Sequence, residues 1–395
     1  MKVGKTHLNF GPKQDPMKHG FDSYLGFEHH SWDFELLSEK DVAAYNRKKA
    51  GSAAMTRMAP IGPLNRDSKT TESFENTTTT EDFAAASVRF ITESRDRPFY
   101  LQLEFNAVHT PLIRGPESLR EKYGIPDRPF HREASVWEYP LWDPIAQPDY
   151  KEWYSQTCHL GVPDPYGRKI YLAHLELMDQ AIGDILDTLQ GEGISEQTLI
   201  FFSSDNGGSH QSYANNGLLN AFKYCLMDGG IKVPMVLAWP GKFPAGSRVD
   251  ALVTRRALFP SLCEITGLQS QKPLDGKSLL PLISGETKNL HPYPIFWDSG
   301  NKMVNWVVVE GDWKLVYREE PKDYEVYQIG RDGLVQAEFL IETIPSGIQL
   351  YNLSDDPGEE TNLAAEYPER VETMQKFYED WRSQMGDPVS GKKVR

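Results

Sequence analysis

Cysteine is scarce in this 395-residue chain, where Cys158, Cys225 and Cys263 are the only three. Odd in number and far apart, they exclude a disulfide scaffold and any Cys-x-x-Cys zinc site. No run of 18 or more apolar residues occurs, so no membrane-spanning helix is expected. Positive charge is also short: 42 Lys and Arg face 56 Asp and Glu, leaving a formal net charge of −14. Duplex nucleic acid is therefore not an expected partner. Gly-x-Gly-x-x-Gly, the Walker loop, His-Glu-x-x-His and Gly-x-Ser-x-Gly are all missing. Nucleotide-driven and serine-hydrolase chemistry lose their usual signatures with them.

What is present describes a folded globular protein: 39% hydrophobic residues, 25% charged residues, and 9 Trp, 18 Tyr and 18 Phe. The length exceeds what one hydrophobic core usually serves, so a large domain over 1–300 and a smaller one over 301–395 are expected. The opening MKVGKTHLNFGP reads as a strand end running into a Gly/Pro turn, and the chain is expected to begin at an internal strand of a longer fold.

Periodicity outlines the elements. An amphipathic stretch from Thr80 to Thr92, opened by Thr80, Glu81 and Asp82, predicts a helix. Phe99, Leu101, Leu103 and Phe105 alternate as a strand that delivers Asn106 to Pro111 into a loop. Residues 112–165, rich in Pro and Trp, read as an irregular segment that shapes a binding site. Tyr171, Leu175, Met178, Ile182, Ile185 and Leu189 fall at helical spacing. The uninterrupted apolar run Thr198 to Phe202 predicts a strand buried on both faces of a mostly parallel sheet, and Val233 to Trp239 a second strand. The fold class expected is thus α/β, a mostly parallel central sheet between helices with ligands at the carboxyl ends of its strands. Beyond Asn301, short strands at Trp306–Val309, Trp313–Tyr317 and Ile348–Leu353 precede a helix carrying Val371, Met374, Tyr378, Trp381 and Met385 on one face. A small antiparallel sheet capped by a helix is expected there.

Four places carry possible chemistry. Lys5 and His7, two apart on a strand, share a side and suit an anion, or are surface polar groups at a strand end. His109 follows a strand and fits acid–base work, anion binding or a structural role. Asp205 and Asn206 in SSDNGG offer hard oxygen ligands suited to Ca²⁺ or Mg²⁺. Asn-Gly is also a hairpin signal, although no alternating strand follows it. Lys223 lies between an Asn/Gly-rich loop and the Asp228-Gly229-Gly230 turn, either a surface charge or a cation reaching that same crevice.

Taken in order, GKTHLNFGP with Gly20-Phe21-Asp22, FNAVHTPL, LIFFSSDNGG, DGGIKVPMVLAWPG, LDGKSLLPLISG and LYNLSDDPGEETNL resemble the sulfatase family of the alkaline phosphatase superfamily. The resemblance implies that Asp205 and Asn206 bind Ca²⁺ together with two acidic residues of a preceding first strand. It implies that Lys5 and His7 lie beside the nucleophile, and that His109 and Lys223 hold the sulfate and assist the leaving oxygen. It further implies a sulfated small molecule or glycan as substrate, an alkaline phosphatase-like fold and an exported location.

The same resemblance exposes departures. The family's nucleophile is a formylglycine made from Cys in a Cys-x-Pro-Ser-Arg type of motif, and none of the three cysteines here has that context. Thr6, Asn220 and Ala257 stand where the family has Trp, often Arg, and usually Asp. A sulfuric ester hydrolase missing its front portion, and inactive as it stands, is the expectation. Hydrolysis of phosphodiesters or phosphonate monoesters, and non-catalytic glycan binding, are the alternatives.

Overall fold

The computed structural model describes residues 1–6, 15–27, 65–67, 69–70, 78–109, 115–126, 164–290, 294–299 and 305–385. They fall into two compact units. One comprises Met1–Ser195, His210–Ala214 and Val326–Leu340, the other Glu196–Ser209, Asn215–Glu325 and Ile341–Arg395.

In the first unit, β1 (Lys2–Lys5) lies parallel to both β2 (Tyr24–Phe27) and β5 (Gln102–Glu104). Two short strands, β3 (Asn65–Arg66) and β4 (Lys69–Thr70), extend the β2 edge antiparallel, giving the order β4-β3-β2-β1-β5. Glycines allow this spacing: a Cβ on Gly4 would strike the Glu104 carbonyl, and one on Gly26 the Gly4 carbonyl. Val3 and Leu25 pack under Phe83 and Ala86 of α1 (Thr79–Ser94). The helix starts one residue earlier than its pattern predicts because Thr78 and Glu81 close a capping box around its first turn. Helix α2 (Gly167–Gly191) packs against α1 and buries Ile170, Ala173 and Leu177 with Leu119 and Ile125. Most of the irregular segment expected over 112–165 lies outside the described residues.

In the second unit, the apolar run becomes β6 (Ile200–Ser203), but its partner β7 (Met235–Ala238) is antiparallel. The pair is not sandwiched as its apolar sequence predicts. Met235 and Leu237 pack against Ala257, Leu279 and Leu290, whereas Phe202 keeps 37% and Val236 54% of its surface exposed. A strand with packing on one face alternates in burial even when its sequence does not.

The small antiparallel sheet is present. Strands β8 (Ile295–Asp298), β9 (Asn305–Glu310), β10 (Trp313–Arg318) and β13 (Gly347–Asn352) are ordered β13-β10-β9-β8. A hairpin of β11 (Lys322–Ile329) and β12 (Val335–Ile344), which no sequence signal marked, intervenes. One face of the four-stranded sheet presents Trp306, Val308, Leu315 and Leu350 to Met374 of α3 (Pro368–Gln384). Trp306 stacks on Tyr378 at 4.2 Å and Phe296 on Trp381 at 4.9 Å between ring centroids. The other face presents Val307, Val309, Val316 and Tyr351 to Phe222, Cys225 and Met227. That face therefore braces the loop carrying Lys223.

Candidate functional site

Strand β6 ends at Ser203 and releases the loop Ser204–Gly208, which a set of polar contacts fixes. Ser204 Oγ donates to the Asn206 carbonyl at 2.8 Å, and Gly207 N–H donates to the Gly230 carbonyl at 3.0 Å. A Cβ on Gly207 would run into the Gly229 carbonyl, so only glycine permits this approach. The Asn216 side chain accepts from Gly208 N–H at 2.9 Å and donates to the Ala221 carbonyl at 2.9 Å. Lys223 N–H donates to the Gly208 carbonyl at 3.0 Å, which ties the Lys223 loop to the same frame.

Within that frame the oxygens suited to a cation stay available. Arg255 Nη2 holds the Asp205 backbone carbonyl at 2.7 Å, while the Asp205 carboxylate makes no hydrogen bond or ion pair among the described residues. Asn206 Nδ2 donates to the Gly207 carbonyl at 2.8 Å, which directs its amide so that Oδ1 is unengaged among the described residues. Lys223 is half-buried; burial pushes its ammonium pKa down, and the nearby Asp205 charge pushes it back up.

Behind this loop sits a buried charge cluster. Asp228 opens the helical turn Asp228–Ile231, and its N–H donates to Glu359 Oε2 at 2.7 Å. Lys314 Nζ, fully buried on β10, lies 2.7 Å from Asp228 Oδ1 and 2.7 Å from Glu359 Oε1. Burial pushes the Glu359 carboxyl up, with Lys314 pulling it down and Asp228 raising it further. Asn220 joins the cluster by donating to the Glu359 carbonyl at 3.2 Å and accepting from Gly229 N–H at 2.7 Å.

In the first unit, parallel pairing of β1 with β5 sets their carboxyl ends at one sheet edge. Lys5 is the last residue of β1, and His109 lies in the loop just beyond β5. His109 N–H donates to the Asn106 carbonyl at 3.0 Å. Asn106 is 2% exposed, and its side-chain amide has no hydrogen bond among the described residues. His7 lies outside the described residues.

The structure thus brings Asp205, Asn206 and Lys223 together in one unit and sets Lys5 and His109 at one sheet edge in the other. Sequence reasoning did not single out Asn216, Arg255, Asn106 or the Asp228–Lys314–Glu359 cluster. Only Asn216, within Asn-Asn-Gly, carried a local turn signal. No group of three or more His, Cys, Asp or Glu side chains positioned to hold a metal occurs among the described residues. The two oxygen donors present match the hard-ligand preference of Ca²⁺ or Mg²⁺ and supply part of the six to eight ligands that Ca²⁺ takes.

Comparison with known proteins defines the class that this frame belongs to. The sulfatase family pattern matches residues 2–268, so the chain belongs to the sulfatase family. A second pattern, that of the N-sulphoglucosamine sulphohydrolase C-terminal region, matches residues 221–342. The chain is similar to N-acetylgalactosamine-6-sulfatase of Canis lupus familiaris, 26% identical over 389 residues, covering 95% of this chain and 63% of that protein. It is also similar to arylsulfatase K of Xenopus laevis, 25% identical over 311 residues, covering 75% of this chain and 53% of that protein. The chain therefore spans less than two thirds of the length of these relatives. Among solved structures, Ps i-CgsB in complex with k-i-k-neocarrahexaose superposes with a TM-score of 0.72 at 22% identity, covering all of this chain and 73% of that one. This likeness carries the alkaline phosphatase-like α/β fold.

Proposed function

We propose that this chain serves a sulfuric ester hydrolase acting on a sulfated carbohydrate, and that its 395 residues supply cation and anion binding without the nucleophile. The observation that carries the reading is the Ser204–Gly208 frame, where Asp205 and Asn206 keep unengaged oxygens beside the Lys223 ammonium. Asp205 and Asn206 would hold Ca²⁺, with Mg²⁺ the substitute. When bound, the cation neutralises charge on sulfate oxygens.

Lys223 binds an oxygen of the sulfate group and stabilises the negative charge that grows as the ester breaks. Its backbone N–H is tied to the Gly208 carbonyl, which fixes the point from which the side chain departs. His109 donates a proton to the departing sugar oxygen, a role that its position after β5 and the acid–base chemistry of an imidazole support. Lys5 and His7 would lie beside the family's formylglycine, where their charge would assist it. With a net charge of −14, the protein repels anions at long range, so cations close to the bound sulfate must reverse the field there. Cys158, Cys225 and Cys263 all lack the context of the family's formylglycine, and the chain alone therefore binds sulfate esters without turning them over. Export belongs to the same proposal.

Incubation of the chain with a sulfated oligosaccharide and Ca²⁺ tests this directly. Binding seen as a thermal shift without release of inorganic sulfate is expected. Release of sulfate by the chain overturns its inactivity. Absence of any shift overturns the sulfate reading, and a larger shift with a phosphonate monoester turns it to phosphoryl chemistry.

A further inference from the structure

Tyr224, next to Lys223, does something folding alone does not explain. Its φ is +77°, in the left-handed region that favours glycine, and 70% of the residue is exposed. A β-carbon in that region is strained, and an exposed ring recovers little by burial. Two nearby tyrosines use their hydroxyls: half-buried Tyr324 donates to Glu342 at 2.6 Å and buried Tyr351 to Gln349 at 3.0 Å. The Tyr224 hydroxyl has no hydrogen bond among the described residues.

The ring is instead surrounded by cations. Lys223 Nζ lies 5.2 Å and Lys322 Nζ 5.9 Å from its centroid. Lys322 Nζ is also 5.3 Å from the ring of Phe222, which is buried and packs edge-on against Tyr324 at 4.6 Å. Lys322 is thereby seated between two aromatic rings, and neither it nor Lys223 forms a salt bridge among the described residues. A strained, exposed ring flanked by two ammonium groups is a poor structural element and a good platform for an anionic sugar. The C–H groups of a pyranose face carry partial positive charge and stack on the negative face of an aromatic ring. The lysines meet the sulfates that such a sugar carries.

We infer that Tyr224 and Lys322 form an outer subsite that binds a second, sulfated sugar ring of an oligosaccharide whose neighbouring sulfate sits at Lys223. The inference rests on the proposed role of Lys223. It narrows the substrate class from any sulfate ester to a multiply sulfated oligosaccharide.

Calorimetric titration with two probes, a sulfated galactan hexasaccharide and a monosulfated galactose, tests the subsite. Tyr224→Gly relieves the strained backbone and removes the ring. It should weaken the hexasaccharide about ten-fold, leave the monosaccharide within about two-fold, and raise the unfolding midpoint by about one to three degrees. Tyr224→Ala should lose the same affinity without the stability gain. Lys322→Ala should weaken the hexasaccharide several-fold and flatten its salt dependence. Unchanged hexasaccharide affinity in Tyr224→Gly, or a lowered unfolding midpoint, overturns the subsite alone. Wild-type protein that binds neither probe overturns the reading of Lys223 as well.

Discussion

Removing the ammonium of Lys314 is the sharpest perturbation of the frame behind Asp205. Its side chain is fully buried, and the carboxylates of Asp228 and Glu359, 7% and 0% exposed, each lie 2.7 Å away. At an effective dielectric constant of about 20, each contact is worth about 6 kcal/mol of Coulomb attraction, most of it offset by desolvation of the three ions. Lys314→Met keeps the volume but leaves two buried carboxylates facing one another, which costs about 3–5 kcal/mol. Urea unfolding followed by tryptophan fluorescence reads this at pH 7. The sign with pH is fixed by Glu359, whose carboxyl is already pushed up in the native protein. A carboxyl with a raised folded pKa costs stability above its unfolded value and recovers it as pH falls toward that value. Loss of Lys314 raises it further, so the deficit should shrink between pH 7 and pH 5. A loss below about 1 kcal/mol at pH 7, or a deficit that does not change with pH, would refute this account of the cluster.

Gly207→Ala should cost about 1–3 kcal/mol, because its Cβ meets the Gly229 carbonyl, and should abolish any Ca²⁺-induced rise in the unfolding midpoint. Thr78→Ala removes the cap that Glu81 N–H uses at the start of α1 and should cost about 1 kcal/mol by thermal melts in far-ultraviolet circular dichroism. The Tyr123 hydroxyl, donated to Glu176 at 2.6 Å, has its pKa pushed up to about 12. Ultraviolet titration of Glu176→Gln should show one tyrosine returning toward the ordinary value of about 10, and an unchanged titration would contradict that pairing.

Features that depend on local pattern were legible in the sequence. Helical spacing located α2 and α3, short apolar stretches between turns located β9, β10 and β13, and motif order pointed to the family. What escaped depends on distant partners. Lys314 sits in Trp-Lys-Leu-Val-Tyr-Arg as any surface lysine would, and only Asp228 and Glu359, far along the chain, make its burial tolerable. The antiparallel pairing of β6 with β7 escaped because an apolar run carries no information on strand direction. The candidate site divides in the same way. Asp205, Asn206 and Lys223 were marked by residue type and neighbours, whereas Asn216 and Arg255, which hold that loop, bond it across intervals that no short motif spans.

The central claim, that the Asp205–Asn206–Lys223 frame recognises a sulfate group on a carbohydrate, is met most directly by calorimetry in Ca²⁺ with a sulfated oligosaccharide and its desulfated counterpart. The account predicts binding of the sulfated form, at least about ten-fold weaker binding of the desulfated form, and a comparable loss in Lys223→Ala. Equal affinity for the two sugars, or a Lys223→Ala protein that binds as the native one does, would contradict it.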